Sequence, residues 1–157
     1  MANNSIQVFD GTKSTVLVGA TTTIADGVFS VSGTNATQTE FDNSTDLWPA
    51  AVAALTLPDT FASAPAAGVT IDLFYCENNI ESTQDEVVPT TTAQQGAHYV
   101  TSFRVHAADI DQPMQELISM FGRRKGYFHI QNNTGVTMSF STGFKLTIEG
   151  VTETPSA

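Results

Sequence analysis

The segment GFKLTIEG (143–150) alternates without a break: Phe144, Leu146 and Ile148 are apolar, and Lys145, Thr147 and Glu149 are polar. A period of two marks a strand with one buried and one wet face. The same grammar recurs along the chain. SIQVF (5–9) and STVLVG (14–19) are short, β-rich and bounded by turn formers, and GVFSVSG (27–33) sets Phe29 and Val31 against Val28, Ser30 and Ser32. GVTIDLFYC (68–76) groups Val69, Ile71, Leu73 and Tyr75 on one face, with Thr70, Asp72, Phe74 and Cys76 on the other. HYVTSFRV (98–105) gathers Tyr99, Thr101, Phe103 and Val105. MQELISM (114–120), GYFHIQN (126–132) and GVTMSFS (135–141) complete the series.

WPAAVAALTLP (48–58) is ambiguous, because its alanines permit a helix. Pro49 and Pro58 bracket a stretch short enough for a strand, and a strand is the reading adopted. NNTG (132–135) predicts a hairpin turn, since Asn and Gly accept positive φ, and STG (141–143) predicts another turn. The run from 77 to 96 lacks periodicity and reads as an exposed loop joining distant strands. VTETPSA (151–157) reads as a loose polar tail. The pattern predicts an all-β protein of about nine or ten short strands. They form an antiparallel β-sandwich, jelly-roll-like because a long central loop separates meander-like pairs. A single domain covers 1–150, followed by the tail 151–157.

Composition sharpens this picture. The chain has 157 residues, 41% hydrophobic, and only 14% charged. The charged share is well below the roughly 25% of an average globular protein. Thr, Ser, Asn and Ala fill the difference, which suits strands with neutral polar surfaces. A net charge of −10 argues against binding nucleic acid or an anionic membrane. No apolar run approaches the ~18 residues of a membrane span, and the N-terminus lacks a signal-peptide pattern. The expectation is a soluble protein made in a cytoplasm.

Candidate chemistry is sparse. Cys76 is the single cysteine, so neither an internal disulfide nor a cysteine-based zinc site can form, and it reads as a buried strand thiol. His98 and His106 lie about 26 Å apart if extended at ~3.3 Å per residue, too far to share a metal. His129 alternates outward beside Phe128 and Ile130. DNSTD (42–46) and DIDQP (109–113) pair acids without a calcium-loop framework and read as solvated carboxylates. No nucleophile elbow, phosphate-cradling loop or metalloprotease helix is present. The expectation is a protein without catalysis, cofactor or metal.

Four stretches in order carry a resemblance: DLWPAAVAALTLPDTFASAPAAGVTIDLFYC (46–76), YVTSFRVHAADIDQ (99–112), GYFHIQNNTGVTMS (126–139) and GFKLTIEG (143–150). Together they resemble small β-sandwich virion structural proteins of tailed bacteriophages. The resemblance implies a capsid decoration (cement) protein or a tail-associated module. It also implies a location in the virion after synthesis in the host cytoplasm, with other virion proteins as partners. Such proteins carry a Pro-Gly-Lys-type turn where this chain has GRRKG.

That turn holds Arg123, Arg124 and Lys125, half of the six cations in the chain. Complementary charged patches set register and choose partners even when each ion pair contributes little. The triplet reads either as a solvated turn between Met120 and Tyr127 that keeps strand ends soluble, or as the candidate docking turn. Its target would be an acidic patch on the capsid, or a neighbouring copy whose 77–86 loop carries Glu77, Glu81, Asp85 and Glu86. The alternative is a carbohydrate-binding module on a tail or fibre, stacking sugars on exposed aromatics such as Trp48 or Tyr99, although packing in the core or at a strand entry is the preferred reading of Trp48.

Overall fold

The computed structural model of the chain describes residues 5–19, 23–57, 61, 63–78, 88–105, 113–123, 125–139 and 143–155, except the side chains of 5–12, 139 and 153–155. Eleven strands and no helix occur among the described residues. They are β1 (Ser5–Gly19), β2 (Thr23–Ile24), β3 (Ala36–Gln38), β4 (Phe41–Asp42), β5 (Ala50–Thr56) and β6 (Thr70–Glu77). The second half supplies β7 (His98–Arg104), β8 (Pro113–Ser119), β9 (Lys125–Asn133), β10 (Met138–Ser139) and β11 (Lys145–Pro155).

One sheet runs β3-β1-β11-β5-β8 and the other β4-β9-β6-β7, with a small β10-β2 pair beside them. The pairing is nested. β6 pairs with β7, β5 with β8, β4 with β9 and β1 with β11, all antiparallel. The chain is thus one long folded-back ribbon whose tip is β6–β7 and whose ends are β1 and β11. Rolling that ribbon places alternate members in opposite sheets, which is the jelly-roll arrangement of a β-sandwich.

The core lies between the sheets. Leu17, Ala51, Ala53, Leu55, Phe144, Leu146 and Ile148 of the first sheet are wholly buried, as are Ile71, Leu73, Phe103, Phe128 and Ile130 of the second. β5 is a strand despite its alanines because it is paired on both sides, with β11 and β8. Ladder hydrogen bonds on both edges outweigh the weak helical preference of alanine.

The second sheet is also covered on its outer face. Phe29, Phe74, Cys76 and Ala97 form a smaller apolar cluster there, with Phe29 and Phe74 edge to face at 5.1 Å. This explains why β6 is buried on both faces from Leu73 to Cys76. The outer cover comes from irregular chain. GVFSVSG, expected to be a strand, runs beside β9 through bonds such as Ser30 N–H to Ile130 O at 2.8 Å, and forms only isolated bridges.

Other expectations are corrected by pairing. Tyr99 leaves the face of Phe103 because Leu73 pairs with Thr101 and Phe74 with Tyr99, so Val100 is an extra residue in a bulge. Val16 is a similar insertion, which lets consecutive Val16 and Leu17 both be buried. NNTG does turn, with Gly135 at φ 74° and Asn132 Oδ1 accepting from Thr134 N–H and hydroxyl. The strand after it, β10, pairs with β2 rather than returning on β9. Gly143 has the φ of 77° that a turn at STG needs, while Ser141 and Thr142 lie outside the described residues. The 77–96 loop joins the adjacent strands β6 and β7 rather than distant ones. In place of a loose tail, β11 continues to Pro155 against β1, with Val151 buried.

Gly150 shows how tightly the core closes. A Cβ there would lie 2.0 Å from Cδ2 of Trp48. Gly150→Ala should therefore destabilise the fold by about 1–3 kcal/mol or more through overpacking. Leu146→Ala should cost ~2–5 kcal/mol by transfer plus cavity. Lys145→Ala, one residue away on the exposed face, should change stability by ~0.5 kcal/mol or less. Urea unfolding of the three variants measures this, and equal losses for Leu146 and Lys145 would show the wrong face assigned to the core.

Candidate functional site

The cationic triplet sits where β8 turns into β9. Arg123 N–H closes the turn on Met120 O at 3.0 Å, and Gly122 takes the positive φ of 80° that a type II turn requires at its third position. This geometry stands Phe121 at the tip, 90% exposed. The segment 43–48 packs beside it. Buried Asn43 accepts from Trp48 N–H at 2.8 Å and donates to Arg123 O at 3.3 Å, tying that segment to the turn.

Leu47, in the same segment, is 59% exposed and held at φ 52°, a left-handed conformation that a branched residue adopts only at an energetic cost. Between Leu47 and Phe121 lies a cleft of about 320 Å³, floored by Trp48, Pro49 and Met120. Apolar side chains are thus presented to solvent on backbone that is hydrogen-bonded in place.

The charges at this corner are largely engaged within the molecule. Lys125 Nζ lies 2.9 Å from Asp42 Oδ2. The Arg123 guanidinium donates to Ser119 O and lies over the Tyr75 ring at 5.7 Å. Arg124 lies outside the described residues, as do Glu81, Asp85 and Glu86. Glu77 is the ladder partner of Gly126, so the first acid of the 77–86 loop stands beside the triplet in the same molecule. Lys125 and Arg123 thus have partners within the molecule while staying partly exposed, Lys125 because the β4–β9 pairing puts Asp42 opposite it.

The two aromatics considered for sugar stacking are separated. Trp48 is 5% exposed and packed against Phe41 in the inter-sheet core, too covered for a sugar ring to stack on it. Tyr99 is 54% exposed on the outer side of the second sheet, edge-on to Phe74, its hydroxyl 2.7 Å from Ser102. They share no platform. Sequence reasoning missed Phe121 and Leu47, although an aromatic preceding Gly in a strand-to-strand turn was a usable signal for Phe121.

His129, expected to face outward, does point away from the main core but is buried beneath the 29–38 region. Its Nδ1 lies 2.7 Å from Gln38 Nε2 and 3.0 Å from Ser30 O. Among the described residues no group of three or more His, Cys, Asp or Glu side chains could hold a metal. No family model, curated protein or solved structure matches this chain.

Among the described residues, His129 and Asp42 make stability depend on acidity. Burial disfavours the charged imidazole and lowers the pKa of His129, so the unfolded chain binds a proton that the folded chain resists. Stability should fall as pH drops below about 6.5, the ordinary histidine value, and this contribution levels off below the folded pKa. Hydrogen bonds from Ser44, aided by Lys125, hold Asp42 at about 2 instead of 3.8. Its contribution is present above the ordinary value and lost as pH falls toward 2. Ring-proton NMR of His129 should titrate below about 6.5, with urea midpoints falling over the same range. A His129 midpoint at or above that value would contradict the burial argument.

Proposed function

We propose that this chain is a non-enzymatic structural protein of a bacteriophage virion, a capsid decoration protein held on the shell by protein–protein contacts. The observation that carries the docking part is Phe121, exposed at the tip of a braced turn and facing Leu47 across a cleft. An isolated exposed leucine is ordinary, but an aromatic beside a preformed cleft is the kind of anchor that dominates binding energy. The virion assignment draws on the resemblance of the strand order to phage structural proteins. The jelly roll supports it as an architecture that viral shell proteins use, though the fold by itself does not specify function. The partner is another virion protein or a further copy of this chain, with no nucleic acid and no membrane involved.

The contact is apolar at its centre and charged at its edge. Arg123 and Lys125 brace the turn from within and leave a cationic rim, which can orient the approach to an acidic surface. Purified particles stripped of this protein and re-exposed to it provide the test. Phe121→Ser should keep the fold and weaken rebinding by about thirtyfold or more, the scale of an aromatic anchor. Reversal of Arg123, Arg124 and Lys125 to Glu should act mainly at low salt, where charges are least screened. If Phe121→Ser rebinds like the parent while charge reversal abolishes rebinding, the apolar anchor is wrong and the turn docks by charge. Densitometry of intact particles separates decoration, with hundreds of copies, from a tail module with few.

A further inference from the structure

A second cavity, of about 340 Å³, opens on the outer face of the second sheet, on the opposite side from the inter-sheet core. Its size is at the low end of the ~300–1,000 Å³ usual for small-molecule sites. Tyr127 and His129 project into it from alternate positions of β9, Gln38 comes from β3, and Ser32 and Val31 come from the irregular cover. Val88 and Pro89 close one side. We infer that this cavity binds a neutral polyhydroxylated small molecule, of the chemical class of a monosaccharide unit. The inference stands apart from the docking reading, which uses the β8–β9 turn.

The lining matches that chemistry. Among the described residues that line the cavity there is no carboxylate, ammonium or guanidinium, so none of them selects an ion of either sign. The net charge of −10 further disfavours an anion. Val31, Val88, Pro89 and the Tyr127 ring supply apolar surface for the C–H face of a sugar ring.

The polar groups are placed for hydroxyls. The Gln38 amide nitrogen is already committed, donating to Phe128 O at 2.9 Å and facing His129 Nδ1 at 2.7 Å. That fixes the side chain and leaves its Oε1 as the acceptor for a ligand hydroxyl. His129 is 1% exposed, its Nδ1 set against the Gln38 amide nitrogen, from which it accepts in one tautomer, and the Ser30 carbonyl, to which it donates in the other. The hydroxyls of Ser32 and Tyr127 have no hydrogen-bond partner among the described residues, and each can both donate and accept. A rigid amide and imidazole flanked by two uncommitted hydroxyls and an apolar wall form a preorganised polar edge beside an apolar face.

Amide chemical shifts of the ¹⁵N-labelled protein, titrated separately with D-glucose, D-galactose and N-acetyl-D-glucosamine, test the inference. At least one sugar should give saturable shifts centred on Val31, Ser32, Gln38, Val88, Tyr127 and His129. Tyr127→Phe should weaken that sugar about fivefold to tenfold, the scale of one lost hydrogen bond. Ser32→Trp, at an exposed position on the rim, should abolish binding while leaving the spectrum dispersed and particle rebinding intact. Tyr99→Ala should change nothing. The inference is overturned if none of the three sugars saturates, if the shifts centre on Tyr99, or if glucuronate binds more tightly than every neutral sugar.

Discussion

β11 is the member on which the rest of this molecule depends. It is hydrogen-bonded to β1 along one edge and β5 along the other, joining the last strand of the chain to the first. Its inward residues Leu146 and Ile148 are wholly buried, as is Phe144 just before it. A slip of one position would turn all three to solvent and bring Lys145 and Glu149 into the core. Register in β11 therefore sets the register of both neighbours, and through β5 that of β8. The bulge at Val16 accommodates this constraint: β1 absorbs an extra residue while β11 keeps its alternation.

The two sheets solve different burial problems. The first packs one face on the core, so β11 alternates wholly buried Leu146 and Ile148 with the more accessible Lys145, Thr147 and Glu149. The second is sandwiched between the main core and an outer cover, and β6 consequently buries Phe74 and Cys76 as well as Leu73 and Tyr75. That cover is irregular chain, whose backbone groups must find partners as surely as those of a strand. They find them on β9 and on the 90–97 segment, as in Phe29 N–H to Thr91 O at 3.0 Å. Irregular chain laid over a sheet packs less uniformly than a third sheet would, and the cavity beside His129 is the gap it leaves.

At the β8–β9 corner, geometry divides labour between charge and apolar surface. Lys125 and Arg123 are used to hold the turn against β4, Ser119 and Tyr75. Exposed pairs of this kind add little stability, but they restrict where the turn can go. What that restriction positions is Phe121, which has no partner in the core and is not shielded by its neighbours. The placement of Arg123 and Lys125 in an acidic chain thus has a local structural cause, and the apolar tip is the part of this corner left exposed.

By itself the sequence determined the local content of the fold. Strict alternation in 143–150 named the inward face of β11, the alternation in 68–76 named Ile71, Leu73 and Tyr75, and the bracketing prolines marked β5. The position of the triplet in a turn was legible as well, because Gly122 and Gly126 flank it. Periodicity reports which face of a strand is apolar, and it carries no information about what lies against the other face. The burial of His129, the shift of Tyr99 by one bulged residue and the pairing of β10 with β2 were decided only in three dimensions. So was the engagement of Lys125 by Asp42, and with it the fate of the triplet. Each depends on contacts between residues far apart in the chain, and such contacts are chosen by the whole nested pairing rather than by any local run of residues.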